Sequence, residues 1–361
     1  MDSSNNNKSI FERHRRLSNL TLMMLSLAVT LLILEFGFRF ARDAIKGSSW
    51  ISRAENIDDD DLGWSLNPQK QPLTKANACG ETVVRGTPAS RYLNRVPATG
   101  KGGTTVLFVG DSFTQGTEVS SNALYYEIFE QASGGRYAVA AAGAGGFSTA
   151  QEYLLLEKVF QTIRPRIVFW QLTGNDLPEN VYTGTDISAV QKPRAYYDPA
   201  SDSFHLRNPS LWLLRHSELA KYVYGEMLKI ERTRPFGLSS LISWLTPADD
   251  PSRSDHITRH GLKVMQELIG KARKAHPETL FIGFSVDSTW DKQYQTAFES
   301  QGALYFAGLP EKISKAGRGE RLDCAPVDPH WNHAGNRVAG EVLLQLTEQV
   351  LAASPASRQK P

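Results

Sequence analysis

Apolar residues run unbroken by charge from Leu20 to Leu34 and continue at Phe36, Phe38 and Phe40. Farther along, apolar runs of strand length alternate with segments of helical spacing. About 20 apolar residues cross a bilayer core as a helix. Asn19 to Phe40 meets that length if Glu35 and Arg39 sit at the far interface, where charged groups reach water. The alternating part predicts strands at Thr104–Val109, Tyr137–Ala142, Ile167–Leu172, Thr279–Val286 and Ala303–Phe306. Between them, helices are expected at Ala123–Ala132, Thr149–Ile163, Ser254–Ala275 and Trp290–Ser300. A last helix follows Asn332, a good N-cap, with Val338, Val342, Leu346 and Val350 along one face. Short apolar strands alternating with helices imply an α/β domain around a parallel sheet.

This pattern divides the chain into a cytoplasmic tail (1–18), a transmembrane anchor (19–41), an extracytoplasmic connecting region of limited structure (42–103), a main domain (104–353) and a flexible tail (354–361). The polar, Pro- and Tyr-bearing stretch of about 177–253 interrupts the rhythm and is expected to be an insertion carrying an amphipathic helix around Leu211 to Ile230. Insertions after strand carboxyl ends shape the cleft in such folds. No small-residue cleavage pattern follows the apolar segment, so it is expected to be retained as an anchor rather than removed as a signal peptide. Lys8, Arg13, Arg15 and Arg16 precede it, against Arg39, Arg42 and Lys46 after it, a small bias toward a cytoplasmic N-terminus. The expected location is single-pass in the inner membrane, with the main domain in the periplasm.

Composition adds little beyond this. The 361 residues are 41% hydrophobic and 22% charged, as in globular proteins, and the net charge of +2 with no basic–aromatic run gives no reason to expect nucleic-acid binding. The acidic run Asp58 to Asp61 lacks the spaced ligands and turn glycine of an EF-hand loop and reads as a solvated turn. Cys79 and Cys324 are too few for a disulfide framework; they can bridge in an oxidising compartment or remain small unpaired hydrophobes. Zinc-site spacings are absent.

Candidate chemistry sits at the strand ends. Ser112 falls two residues beyond the first strand, in Gly110-Asp111-Ser112-Phe113-Thr114, which is not a G-x-S-x-G elbow. Serine needs a base to take its proton as it attacks. His330, in Asp328-Pro329-His330, is the candidate base, with Asp328 fixing its tautomer; His333 competes but falls in the first turn of the last helix. Ester cleavage also develops charge on the carbonyl oxygen. Donors to that oxygen could come from the Asn175 amide, the Gly143 N–H and the N–H of Ser112 itself.

Ser112 in GDSFT, Gly143, Asn175 in GND, and Asp328 with His330 resemble, in order, the four marker blocks of the SGNH (GDSL-type) hydrolases. The resemblance covers about residues 104–350 and is nearest to membrane-anchored bacterial members, in which a stretch like Gly63 to Pro68 lies upstream. It departs in two places. One residue, not two, separates Asp328 from His330, and Ala141 stands where related sequences often carry asparagine. The resemblance implies a flavodoxin-like three-layer α/β/α domain with about five parallel strands. It further implies a serine esterase using Ser112, His330 and Asp328, an oxyanion hole of Ser112, Gly143 and Asn175, and no cofactor or metal. O-acyl groups, such as acetyl esters on envelope or secreted glycans, are the expected substrates. The alternatives are an O-acyltransferase acting on a polysaccharide and a non-catalytic envelope-anchored binding protein on the same fold.

Overall fold

The computed structural model describes residues 15–51, 55–97, 102–181, 193–207 and 251–353, with a few positions between 217 and 223. The expected N-terminal tail up to residue 14, most of the insertion with its expected helix, and the tail from 354 lie outside the described residues.

Helix α1 (Arg15–Ile51) is continuous, and its stretch Asn19–Ala41, of mean hydropathy 2.1, is long and apolar enough to cross a membrane. Leu, Met and Phe side chains along it face outward. Glu35 pairs with Arg39 one turn on at 2.6 Å, and its other oxygen accepts the Ser217 hydroxyl and the Leu219 N–H. Both charges near the end of the apolar run are therefore compensated, which lowers the cost of placing them at an interface.

The main domain is built on β5 (Thr104–Gly110), β6 (Tyr137–Gly143), β7 (Ile167–Leu172), β10 (Leu280–Ser285) and β11 (Leu304–Tyr305), all parallel. Their spatial order is β6-β5-β7-β10-β11, which is the flavodoxin-like order 2-1-3-4-5. Alternation along β5 shows why both faces must be covered. Val106 and Phe108 join the cluster under α3 (Tyr125–Ala132), α8 (Leu309–Ala316) and α9 (His333–Ala353). Leu107 and Val109 join the cluster under α4 (Thr149–Ile163), α6 (Pro251–Ala275) and α7 (Asp291–Ser300). The result is three layers. The order in which strands are added reverses at β5, since β6 lies on one side of it and β7 on the other. Such a switch point opens a crevice at the strand carboxyl ends, the general ligand site of open α/β sheets.

The connecting region differs from expectation. It forms two antiparallel hairpins, β1 (Asn56–Asp59) with β2 (Gly63–Leu66) and β3 (Leu73–Ala76) with β4 (Thr82–Arg85), and it is part of the domain. Leu62, Trp64 and Leu66 are buried in the same cluster as Leu107 and Trp170. Asn94 and Arg95 extend the open edge of the sheet by bonding to the backbone of Ala141 in β6. Strands of four residues are too short for their alternation to stand out in the sequence. The acidic run is likewise not a solvated turn throughout. Asp59 is buried, accepting the N–H groups of Asp61 and Leu62 and the Tyr92 hydroxyl beside Arg91. Burial pushes its pKa up, but those donors and the guanidinium hold it below the usual value.

The insertion contributes a hairpin of β8 (Arg194–Asp198) and β9 (Ser203–Arg207), which packs Tyr197 against Val264 and Leu268. Just before it, the Pro193 carbonyl closes onto Gly63. A Cβ at Gly63 would lie 1.8 Å from that oxygen, and Gly63 has φ +88°, so glycine is required on both counts.

Cys79 and Cys324 are joined, with sulfurs 1.98 Å apart and Cα atoms 5.1 Å apart. The bridge spans 245 residues and ties the β3–β4 hairpin to the short strand β12 (Asp323–Cys324), which pairs with β13 (Asp328–Trp331). A cross-link over so long a loop removes much unfolded-state entropy. The Cys79→Ser/Cys324→Ser variant is expected to lose about 2–5 kcal/mol of stability. Thermal melting with and without reductant checks this; a melting temperature insensitive to both changes would contradict it.

Candidate active site

The turn after β5 is over-determined. A Cβ at Gly110 would lie 2.4 Å from Gln171 Oε1 and 2.6 Å from Thr114 Oγ1, so only glycine lets the chain turn there. Asp111 caps the short helix α2 (Ser112–Gln115) by accepting the Phe113 N–H at 3.1 Å. Gln171, at the end of β7, donates Nε2–H to Asp111 at 3.0 Å. Its Oε1 accepts the Thr114 N–H at 3.2 Å and the Thr114 hydroxyl at 2.9 Å. Thr173 adds a hydroxyl donor to Asp111 at 2.8 Å. Burial pushes the Asp111 pKa up, against the lowering effect of Gln171, Thr173 and the Phe113 N–H. Ser112 thus stands on a rigid pedestal at the switch-point crevice.

His330 reaches Ser112 from β13, with Nε2 2.8 Å from Oγ. On the other side Nδ1 lies 2.6 Å from Asp328 Oδ1, which also accepts the His330 backbone N–H at 3.0 Å. This backbone bond bends the extended i, i+2 pair so that acid and imidazole meet across only one intervening residue. The network places the ring proton on Nδ1 and leaves the Nε2 lone pair to accept the serine hydroxyl. Phe113 packs on the imidazole at 4.7 Å between centroids, backed by Trp331 at 5.1 Å. Asn332 caps α9, its Oδ1 accepting the Gly335 N–H at 2.9 Å. The competing His333 is committed elsewhere. Its Nε2 accepts the Ser120 backbone N–H at 3.2 Å and its Nδ1 faces Glu81 at 2.9 Å, so its lone pair is already used.

Glu118 is a neighbour the sequence reading did not single out. One carboxylate oxygen of Glu118, one of Asp328 and a ring nitrogen of His330 all lie within 4.8 Å of one another. Asp328 and His330 are the acid and base expected for Ser112, so a metal held there would occupy the groups that contact the serine.

The three expected oxyanion donors fare differently. Gly143 ends β6 beside the turn, where a Cβ would lie 2.6 Å from the Gly110 carbonyl, but its N–H donates to Asn94 Oδ1 at 2.7 Å. Gly145 is similarly spent, on Gln115 Oε1 at 2.5 Å. The N–H groups of Ser112 and of Gly146, at φ +76°, have no acceptor among the described residues. Gly145 packs against Ser112, with a Cβ there 3.7 Å from the serine Cβ, which brings this loop alongside Ser112. The Asn175 Oδ1 lies against the Thr173 hydroxyl oxygen, and its amide donates one Nδ2 hydrogen to Glu179 Oε2 at 2.6 Å, leaving a second. Asn94, Gln115, Gln171 and Glu179 all shape the site from outside the marker strings or from their unremarked positions. Isolated amides and carboxylates carry no pattern that sequence spacing could reveal.

No family model and no curated protein matches the chain. Among solved structures it is similar to TesA, at 14% identity over 68% of this chain and 99% of that one, with a TM-score of 0.38. It is also similar to an acetyl xylan esterase from the rumen bacterium Butyrivibrio proteoclasticus, at 12% identity over 72% and 66% of the two chains, TM-score 0.39. A Clostridium thermocellum family 3 carbohydrate esterase matches at 15% identity over 70% and 98%, TM-score 0.37.

Proposed function

We propose that the protein is a serine esterase, and the observation that carries this is the unbroken Asp328–His330–Ser112 line at the switch-point crevice. The Ser112 hydroxyl attacks the ester carbonyl carbon as His330 Nε2 takes its proton. The C–O bond to the alcohol then breaks, and the imidazolium returns its proton to the departing alkoxide. Water repeats the sequence in reverse roles, releasing the acid and restoring Ser112. Asp328 fixes the imidazole tautomer and stabilises its charged form. Ser112 N–H, Gly146 N–H and the second Asn175 Nδ2 hydrogen serve the oxyanion; Gly146 takes the place expected of Gly143, whose N–H is spent. No step requires a metal or organic cofactor.

Short O-acyl groups on polar carriers, acetylated glycans among them, suit the surroundings of Ser112. Glu118 and Asn175, both half-buried, would lose hydration to a long alkyl chain without compensation. The apolar α1 supports a single-pass membrane tether, and the Cys79–Cys324 bridge supports an oxidising compartment such as the periplasm.

A panel of p-nitrophenyl esters of increasing chain length, hydrolysed by the full-length protein in detergent, tests the reading. Acetate is expected to be turned over with the highest kcat/KM, and Ser112→Ala is expected to lower the activity by at least about 10⁴-fold. A preference for octanoate or longer chains would overturn the short-acyl assignment, and undiminished hydrolysis by Ser112→Ala would overturn the mechanism.

A further inference from the structure

We propose that Arg194, supplied by the insertion, is a positioning residue that holds the two oxyanion donors flanking Ser112 in register with each other. The inference rests on the esterase reading. Its geometry runs in two directions from one guanidinium whose side chain is 4% exposed.

Toward α5 (Asp176–Glu179), Arg194 Nη1 lies 2.5 Å from Glu179 Oε2. The same oxygen accepts the Asn175 Nδ2 hydrogen at 2.6 Å. The guanidinium therefore fixes the carboxylate, and the carboxylate fixes which way the Asn175 amide points. Toward β2, the guanidinium carbon lies over the Trp64 ring, 5.7 Å from its centroid. Trp64 Nε1–H in turn donates to the Gly145 carbonyl at 3.2 Å, and its Cζ2 lies 3.8 Å from where a Cβ on Gly146 would stand. The peptide joining Gly145 to Gly146 carries that carbonyl and the Gly146 N–H together, so anchoring one orients the other.

Arg194 is thus the point at which the Asn175 arm and the glycine-loop arm meet. The close approach of Pro193 to Gly63 sets where it stands, by locking the start of β8 against the start of β2. Arginine suits both tasks at once, since its edge sets a charge against a carboxylate while its face lies on an aromatic ring. A buried ion pair is often replaceable by neutral groups without loss of stability, so stability alone does not account for this one.

The test uses full-length protein in detergent, carrying Arg194→Met, Arg194→Lys, and the paired Arg194→Met/Glu179→Gln change, which leaves no uncompensated charge if Arg194→Met alone does not fold. Kinetics on p-nitrophenyl acetate are measured with the rate and end point of Ser112 labelling by diethyl p-nitrophenyl phosphate, whose phosphoryl oxygen occupies the oxyanion position. Removing an oxyanion donor outright lowers kcat by about 10²–10³-fold. Loosening two donors is expected to lower kcat and the labelling rate roughly 10–100-fold, a part of that loss. KM is expected to stay within about threefold and the labelled fraction to stay at the wild-type end point, with Arg194→Lys intermediate. A purely structural role would reduce the labelled fraction and leave the rate per labelled site unchanged. That result, or a paired variant with kcat within about twofold of wild type, overturns the proposal while leaving the esterase reading intact. A wild-type protein that neither hydrolyses nor labels at Ser112 overturns both.

Discussion

Ser112→Ala is expected to lower kcat on p-nitrophenyl acetate by at least about 10⁴-fold, and adding His330→Ala is expected to cost almost nothing more. The first loss corresponds to roughly 5.5 kcal/mol of transition-state stabilisation. The non-additivity follows from the 2.8 Å contact between Nε2 and Oγ: base and nucleophile act as one unit, so removing either disables both. What survives in each variant is the oxyanion site and substrate binding, which do not depend on the serine hydroxyl. Single-turnover kinetics on Ser112→Ala, His330→Ala and the double variant measure the coupling. If the two single losses multiplied in the double variant, His330 would be acting on something other than Ser112, and the proposed relay would be wrong. His333→Ala serves as the comparison. Its Nε2 already accepts the Ser120 N–H, so its loss is expected to fall on stability and leave kcat within a few-fold, the scale of a change outside the relay.

The sheet was legible because its strands are buried on both faces. Runs such as TTVLFV and IVFWQL carry apolar side chains on both faces of the strand, and the observed strands begin and end within a residue or two of where those runs do. The helix Thr149–Ile163 was bounded by physics visible in the sequence, with Ser148 and Gln151 forming a capping box at one end and Pro165 following the other. The connecting region was not legible, because its hairpins gain their order from contact with the domain. Trp64 and Leu66 are isolated apolar residues in a polar stretch, and only the fold reveals that they complete a core. The site divides the same way. Ser112 and Asn175 follow expected strands and Asp328 with His330 precedes the last helix; each string is weak alone, and their order and resemblance to the SGNH marker blocks made them candidates. Gly143 was read as a donor because it follows a strand. Its N–H is taken by Asn94, 49 residues upstream, and no local pattern announces that bond. Gln171 was equally hidden. It lies inside an apolar strand, yet its amide clamps both Asp111 and Thr114. A buried glutamine reads as an oddity until its partners are known.

Asp328→Asn is expected to lower kcat by about 10³–10⁴-fold with little change in KM, and the reason is the tautomer rather than the charge alone. Asparagine presents either an acceptor or a donor to Nδ1. The donor orientation leaves the ring proton on Nε2, pointed at Ser112, where the imidazole can no longer accept the hydroxyl. Glu118 sharpens the test, since its carboxylate lies within the same 4.8 Å cluster. If Glu118 can orient the ring, the loss shrinks below about 10²-fold and returns on adding Glu118→Gln, and Asp328 would then not be the sole orienter. Stability gives an independent reading. Burial raises the Asp328 pKa, but the His330 backbone N–H, the His330 ring and Lys75 together hold it below its ordinary 3.8. An acid with a depressed folded pKa adds stability above its unfolded value, and this is lost as pH falls through the folded one. Wild type should therefore shed this increment below about pH 4, as the carboxylate takes up its proton. Asp328→Asn should show a shallower acid limb in urea midpoints over the same window. A variant that lost activity yet kept the wild-type acid limb would mean that Asp328 orients the imidazole without being stabilised as an anion by it. The charge half of its proposed role would then be gone, and the tautomer half would stand alone.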